Sequence, residues 1–420
     1  MTYSTDDIIE KVILVGLDCS ENSLTELKEL AYTSGCEVLA TFTQNRDKPH
    51  SGHYLGKGKI SELKELMDEL GASGIICDDE LKSVQLKNLS NMLETKVMDR
   101  TLLILDIFAK RAKSAEGKIQ VEISQLKYNL SRLSGLGISL SRLGGGIGTR
   151  GPGEKKLEMD RRNIRTRIND LEKELLEIKT HRKTLRDSRK VMPIISLVGY
   201  TNAGKSTLMN ALTDARVLAE DKLFATLDTT TRKLVLQNSS EEVLLTDTVG
   251  FIKKLPASLV KAFRSTFEEL QFSDILLHVV DASDIDYQNQ MQTVYDALKD
   301  INSTGKPIIT IFNKIDKINQ DELYLSDPQA DHIVKVSAIT NLNLDKLKNT
   351  LELVLKSLKK STKLFIPHTE GRLLNMLFEK SQIVEKTYLS DGIEIEAFLN
   401  VEMLSRAKDY IITNISTSSN

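Results

Sequence analysis

Residues 199–206 read Gly199, Tyr200, Thr201, Asn202, Ala203, Gly204, Lys205 and Ser206, with Thr207 next. Glycines let a backbone loop wrap phosphate with consecutive N–H groups aimed at anionic oxygen. Lys205 can then reach β- and γ-phosphates, and Ser206 can set its hydroxyl on Mg²⁺. A second group is Asp247, Thr248, Val249 and Gly250. An aspartate at that point holds Mg²⁺, usually through water, while the glycine N–H can sense a γ-phosphate. The third is Asn313, Lys314, Ile315 and Asp316. The Asp316 carboxylate can accept hydrogen bonds from N1–H and the exocyclic amine of guanine. Adenine has no such donor pair, and a carboxylate left unpaired in a dry pocket rejects it. The Lys314 stem can lie over the base. Val336, Ser337 and Ala338, with Ile339 following, offer a backbone amide to the guanine O6. Each stretch alone is commonly a surface turn. All four in this order, each after a short apolar run, specify a guanine-nucleotide site.

Between the first two groups lie Phe224, Ala225, Thr226, Leu227, Asp228, Thr229, Thr230, Thr231 and Arg232. A threonine here would bond Mg²⁺ and the γ-phosphate, then let go after hydrolysis. Four threonines compete for the role, and a threonine-rich edge strand would account for three of them. Phe251 follows Gly250, where many Ras-like GTPases carry a glutamine that orients the attacking water. A phenyl ring can neither donate nor accept a proton. Unaided hydrolysis is therefore expected to be slow, with a partner, a retracted ring or an ordered switch supplying the missing geometry.

These groups need strands that end where the phosphates sit. Apolar runs at 194–198, 243–246, 275–280, 307–312 and 333–336, with helical segments between, predict a doubly wound parallel sheet. The first hundred residues alternate in the same way. Strands are expected at 11–17, 37–43 and 74–77 and helices at 24–31, 60–70 and 81–92, a small parallel α/β domain. After 102–113, Ile119, Ile123, Leu126, Leu130 and Leu133 form the seam of a coiled-coil-like helix. Gly135, Gly137, Gly144, Gly145, Gly146, Gly148, Gly151, Pro152 and Gly153 predict a break. A second helix is expected from near Leu157, with Leu157, Ile164, Leu171, Ile178 and Leu185 every seven residues and Ile168 and Leu175 between. The pair should close as an antiparallel hairpin with the glycine-rich loop at its tip. Beyond residue 360 a helix at 373–378 and two strand-like runs around Ser390, Asp391 and Gly392 predict a small α+β module. The fold class is thus multi-domain α/β, divided at 1–108, 109–190, 191–360 and 361–420.

The 420 residues, 40% apolar and 28% charged with net charge −2, suit a soluble globular chain and argue against a polycationic nucleic-acid coat. No apolar run approaches the roughly 20 residues that span a bilayer, and the polar, acidic first ten residues are wrong for a secretory signal. Cys19, Cys36 and Cys77 read as free thiols in a reducing cytosol, so a cytoplasmic location is expected. Arg142, Arg150, Lys155, Lys156, Arg161, Arg162, Arg165 and Arg167 crowd the hairpin tip and the start of its second helix. Glycine admits RNA backbone closely and these cations suit phosphate, so RNA binding at the tip is expected, weakening steeply with salt.

Together these residues resemble the HflX family of ribosome-associated GTPases, whose wider class replaces the catalytic glutamine with an apolar residue. The likeness spans most of the chain: residues 53–59 (His53 to Lys59), Asp99, Arg100 and Thr101, residues 106–109, the stretch from Gly144 to Glu154, and the nucleotide groups at 199–202 and 224–228. It implies Ser206 and Thr226 as Mg²⁺ ligands, and Lys205, Thr226, Asp247 and Gly250 as the hydrolytic set. Residues 199–207, 224–228, 247–250, 313–316 and 337–339 would hold GTP. Thr229 departs from a frequent proline, which touches switch rigidity rather than the ligand assignment. The resemblance further implies a monomer off the ribosome that binds the large subunit and its RNA and splits stalled or stressed ribosomes. The alternative is an RNA-binding assembly module latched by GTP. An ATPase activity has been attributed to the family's N-terminal domain, but Gly56, Lys57, Gly58 and Lys59 are too short a signal for a second P-loop. A tRNA-modifying role is disfavoured because no cysteine lies near the C-terminus.

Overall fold

The computed structural model describes residues 9–17, 24–141, 152–187, 192–213, 223–224, 229–236, 242–254, 270–318, 324–358, 360–399 and 401–414; within these, 134–141, 152–157, 181–187, 360–361, 380, 382, 401–402 and 413–414 are described by backbone course alone. Short apolar runs alternating with amphipathic stretches produce two parallel sheets, as expected. The N-terminal one has the order β2-β1-β3-β4. Its strands are β1 (Lys11–Gly16), β2 (Glu37–Thr43), β3 (Gly74–Cys77) and β4 (Lys96–Asp99). Helices α1 (Thr25–Ser34), α2 (Lys57–Leu70) and α3 (Ser83–Leu93) connect them, and α4 (Arg100–Arg111) follows. Val12 and Leu14 point to one face, Ile13 and Val15 to the other, and all four are buried. Burial on both faces is what a parallel sheet with crossover helices requires. The fourth strand was not anticipated, because only Val97 and Met98 of its four residues are apolar.

Next comes the hairpin of α5 (Ala115–Ser141) and α6 (Pro152–Asp187). Ile119, Ile123, Ile168 and Leu171 form its buried seam, flanked by Leu126, Leu130, Ile164, Leu175 and Ile178. Ion pairs from Lys127 to Glu172 at 2.7 Å and from Arg167 to Glu122 at 2.8 Å tie the two helices across it. The expected break is narrower than the glycines suggested. Helix α5 continues through Gly135 and Gly137, and α6 starts at Pro152 rather than near Leu157. An interior glycine costs only about 1 kcal/mol relative to alanine, and proline is well suited to a first helical position. The tip itself, residues 142–151, lies outside the described residues.

The central sheet has the order β10-β9-β8-β5-β7-β6. It comprises β5 (Ile194–Gly199), β6 (Thr230–Val235), β7 (Glu242–Asp247), β8 (Ile275–Asp281), β9 (Ile308–Asn313) and β10 (His332–Lys335). All pairings are parallel except that of the edge strand β6 with β7. Helix α7 (Lys205–Thr213) follows β5, α8 (Tyr287–Asp300) follows β8 and α9 (Leu344–Leu358) follows β10. The edge strand accounts for two of the competing threonines, since Thr230 and Thr231 lie in it and Thr231 Oγ1 sits 3.1 Å from Thr246 Oγ1.

The last module is a sheet of β11 (Lys360–Pro367), β12 (Gln382–Tyr388), β13 (Gly392–Leu399) and β14 (Ile411–Asn414), ordered β12-β13-β11-β14. Helices α10 (Gly371–Lys380) and α11 (Val401–Arg406) cover one face around Leu364, Ile366, Ile395 and Met403. The hairpin turn at Ser390–Gly392 falls where expected. One apolar cluster is shared by the first two sheets: Leu105 and Phe108 of α4 belong to the same buried core as Tyr200, Phe224, Phe251 and Ile252.

Candidate functional site

The site lies at the carboxyl end of β5, beside the point where strand order reverses, which is where open α/β sheets bind ligands. Residues 199–204 loop from β5 into α7. The geometry demands glycine at Gly199, where a Cβ would lie 2.2 Å from Val279 O, and at two further positions. Gly204 has φ +90°, and a Cβ there would lie 2.3 Å from Asn313 Nδ2. At Gly250 a Cβ would lie 2.8 Å from Thr201 Cα and 3.0 Å from Lys205 Nζ. The two segments meet through backbone: Thr201 N–H donates to Phe251 C=O at 2.8 Å, and Phe251 N–H to Gly199 C=O at 3.1 Å.

Inside this cradle Lys205 is buried, and its ammonium donates to the carbonyls of Tyr200 at 2.7 Å and Gly199 at 3.1 Å. Burial pulls its pKa down to about 8, partly offset by the Asp247 charge. Ser206 Oγ donates to Asp247 Oδ2 at 2.6 Å. A hydroxyl beside a buried carboxylate next to a phosphate cradle is an all-oxygen set of the kind Mg²⁺ takes. Thr248 turns inward and donates to Leu197 C=O at 2.6 Å, so its side chain fixes the strand end.

The residues expected to recognise the base also converge. Asn313 spans two elements, donating to Ala203 C=O at 3.0 Å and accepting from Ala338 N–H at 3.0 Å. A purine O6 seeking the Ala338 amide must share or displace that second bond. Lys314 has a left-handed φ of +62° and pairs with Asp281 at 2.7 Å. Asp316 lies exposed on the short turn Ile315–Lys317, and Ile339 is exposed beyond the buried Ser337 and Ala338.

Other expected residues fall elsewhere. Ala225, Thr226, Leu227 and Asp228 lie outside the described residues, as do Arg142 and Arg150, and the side chains of Lys155 and Lys156 are not described. The Phe224 ring turns away from the cradle and meets Phe108 edge-on at 4.8 Å. Phe251, 3% exposed, is withdrawn into the same core. On the hairpin, Arg162 is exposed, whereas Arg161 is half-buried and donates to Leu133 C=O at 2.8 Å across the helix pair. Arg161 is therefore a structural tie in this arrangement. Sequence reasoning missed the polar contacts behind the cradle. Tyr200 OH donates to Glu26 of α1 and accepts from Lys253 N–H at 2.7 Å, while Lys254 pairs with Asp78 at 2.5 Å. No local signal marks them, because the partners lie far apart in the chain.

A central strand feeding a glycine-bounded loop and helix, an aspartate ending the adjacent strand, and an asparagine bracing the loop define a P-loop GTPase. Residues 194–314 match the family described as 50S ribosome-binding GTPase, residues 21–109 that described as GTP-binding GTPase N-terminal, and residues 111–189 that described as GTP-binding GTPase Middle Region. GTPase HflX of Lacrimispora saccharolytica is 50% identical over 410 residues, 96% of each chain. GTPase HflX of Escherichia coli K12 is 39% identical over 393 residues, 92% of each chain. Among solved structures, the complex of SsGBP and GDP is 28% identical, covers 82% of this chain and 98% of its own, and aligns with a TM-score of 0.48. The chain belongs to the HflX family of GTPases.

Proposed function

We propose that this GTPase binds GTP with Mg²⁺ in the cradle described and uses it to drive a GTP-controlled association with the large ribosomal subunit that splits stalled ribosomes. Lys205 meets the β- and γ-phosphates, breaking its bonds to the loop carbonyls as it does so. Ser206 and Thr226 would hold Mg²⁺, with Asp247 beyond them, and the ion would neutralise charge developing on the phosphates. Gly250 N–H reports the γ-phosphate, Asp316 reads guanine and Lys314 covers it. Water attacks the γ-phosphorus and GDP leaves, so the protein's task is positioning and charge stabilisation. With Phe251 drawn back, the ring does not occupy the water's position, and the remaining geometry is left to a partner. Of the four segments at 1–108, 109–190, 191–360 and 361–420, the hairpin is the proposed RNA contact and the chain works in the cytoplasm. No helix among the described residues is long and apolar enough to cross a membrane.

The observation that carries the ribosomal half is the match of residues 194–314 to the 50S ribosome-binding GTPases, on a chain whose hairpin exposes Arg162 and Arg165. Sedimentation of whole ribosomes with the protein and a non-hydrolysable GTP analogue tests it. Conversion to free subunits is the expected result. Binding confined to immature particles, with whole ribosomes intact, would instead establish the assembly role.

A further inference from the structure

Asp99 and Arg100 stand at the junction of β4 and α4, outside the nucleotide cradle, and they point in opposite directions. Asp99 faces the hairpin: it accepts from Leu102 N–H at 2.9 Å, capping α4, and from Tyr128 OH at 3.0 Å, and pairs with Arg132 at 2.5 Å. Arg100 faces the GTPase sheet. Only 3% exposed, it pairs with Asp78 at 2.7 Å and with Glu26, and donates to Lys253 C=O at 3.0 Å. Glu26 accepts from Tyr200 OH, which itself accepts from Lys253 N–H at 2.7 Å. Both backbone polar groups of Lys253 therefore end on one cluster built around Arg100.

Lys253 is three residues from Gly250 and two from Phe251. Its clamp fixes the course of the loop that carries the γ-phosphate sensor and keeps the Phe251 ring in the shared core. Stripping one partner from a buried guanidinium leaves uncompensated charge, so the arrangement is strongly determined by the groups around it. A planar fork can serve two carboxylates and a carbonyl at once, which an ammonium on a flexible stem does poorly.

We infer that Arg100 is a positioning residue for GTP hydrolysis: through Lys253 it holds the loop from Gly250 to Lys254 in register, with Phe251 withdrawn, without touching the nucleotide. This rests on the cradle being the GTP site. Released from the clamp, the loop lets Gly250 drift and frees the ring to swing into the attacking water's place.

The test uses the full chain with Arg100→Met, Arg100→Lys and Tyr200→Phe. Fluorescent-nucleotide titration gives GTP and GDP affinities, and single-turnover assays give the hydrolysis rate. Arg100→Met should slow hydrolysis about tenfold while both affinities move less than about threefold. Arg100→Lys should recover part of the rate. Tyr200→Phe should show the same split, and the double variant with Arg100→Met should fall no further than the worse single change, because both act on Lys253. A parental rate in Arg100→Met, a parallel loss of rate and affinity, or additive effects would each overturn the inference. Should Arg100→Met fail to fold, as thermal unfolding would reveal, Tyr200→Phe and Arg100→Lys carry the same test. A parent chain that binds no GTP would refute the cradle assignment instead.

Discussion

The two parallel sheets of this chain end in opposite ways. At the carboxyl ends of β5 and β7 the GTPase sheet presents backbone, kept bare by glycines whose side chains would collide with Asn313 and Thr201. At the carboxyl ends of β3 and β4 the N-terminal sheet presents Asp78, Asp79 and Asp99, and Arg100, Arg132, Tyr54, Tyr128 and Lys254 already occupy them. One sheet leaves its switch-point crevice open to a multiply charged ligand, and the other fills the corresponding space with its own charges. Parallel strand pairing therefore says little about chemistry, and loop composition says most of it.

The largest effect should come from removing the cation of the open end. Lys205→Met keeps the stem length and relieves a buried ammonium, so the nucleotide-free chain should be as stable as the parent or more so. GTP affinity should fall about a thousandfold, roughly 4 kcal/mol, because charge-assisted bonds to two phosphates are lost. Fluorescent-GTP titration beside a thermal melt measures both. Affinity within about threefold of the parent would break the comparison at its centre.

The open end was also the legible one. The residue types of 199–206, 247–250 and 313–316 follow a fixed local order, so their convergence on one strand end could be read from the sequence, as could the part of the period-seven seam at Ile164, Leu171 and Ile178. The filled end was not legible. Arg100 and Lys253 are 153 residues apart, and Glu26 and Tyr200 are 174 apart, and no local spacing encodes such pairs. The strand Lys96–Asp99 escaped because charged residues at both its ends leave only Val97 and Met98 apolar, whereas the equally short Gly74–Cys77 carries no charge. Gly135 and Gly137 misled because the glycine penalty is small beside the flanking helix.

The sheets differ in their interiors as well. The GTPase sheet buries His278 on β8, its ring edge-on to Tyr295 at 4.9 Å and its Nδ1 3.9 Å from Asp327. Burial lowers its pKa from 6.5 to about 4, with Asp327 opposing and Lys205 reinforcing the shift. The unfolded chain thus binds a proton between about pH 6.5 and 4 that the folded chain refuses. Stability from this group is complete above about pH 6.5 and is lost as pH falls towards 4, by about 3 kcal/mol across the window. Urea midpoints of the GTPase-sheet transition from pH 7 to 4.5 should slope less in His278→Gln than in the parent. Equal slopes would mean that the folded chain takes up the His278 proton as readily as the unfolded one.

The smallest effect tests the filled end. Tyr54 is 1% exposed, and its hydroxyl donates to Asp79 Oδ2 at 2.7 Å. Tyr54→Phe deletes that donor and keeps the ring in the core of Leu55, Ile60 and Leu89. The Asp79 carboxylate is partly exposed and retains Lys254 at 3.4 Å, so water can replace the lost partner. The cost should be about 1 kcal/mol of stability, read as a shift in the urea midpoint. GTP affinity and hydrolysis should stay at the parent's values, because the ring lies on the opposite face of the sheet from Arg100's contacts with Lys253. A stability loss alone would mark the N-terminal sheet end as self-satisfied structure. A loss of hydrolysis would show instead that Asp79, through Lys254, shares in holding the loop, and would extend the clamp from Arg100 to the whole rim.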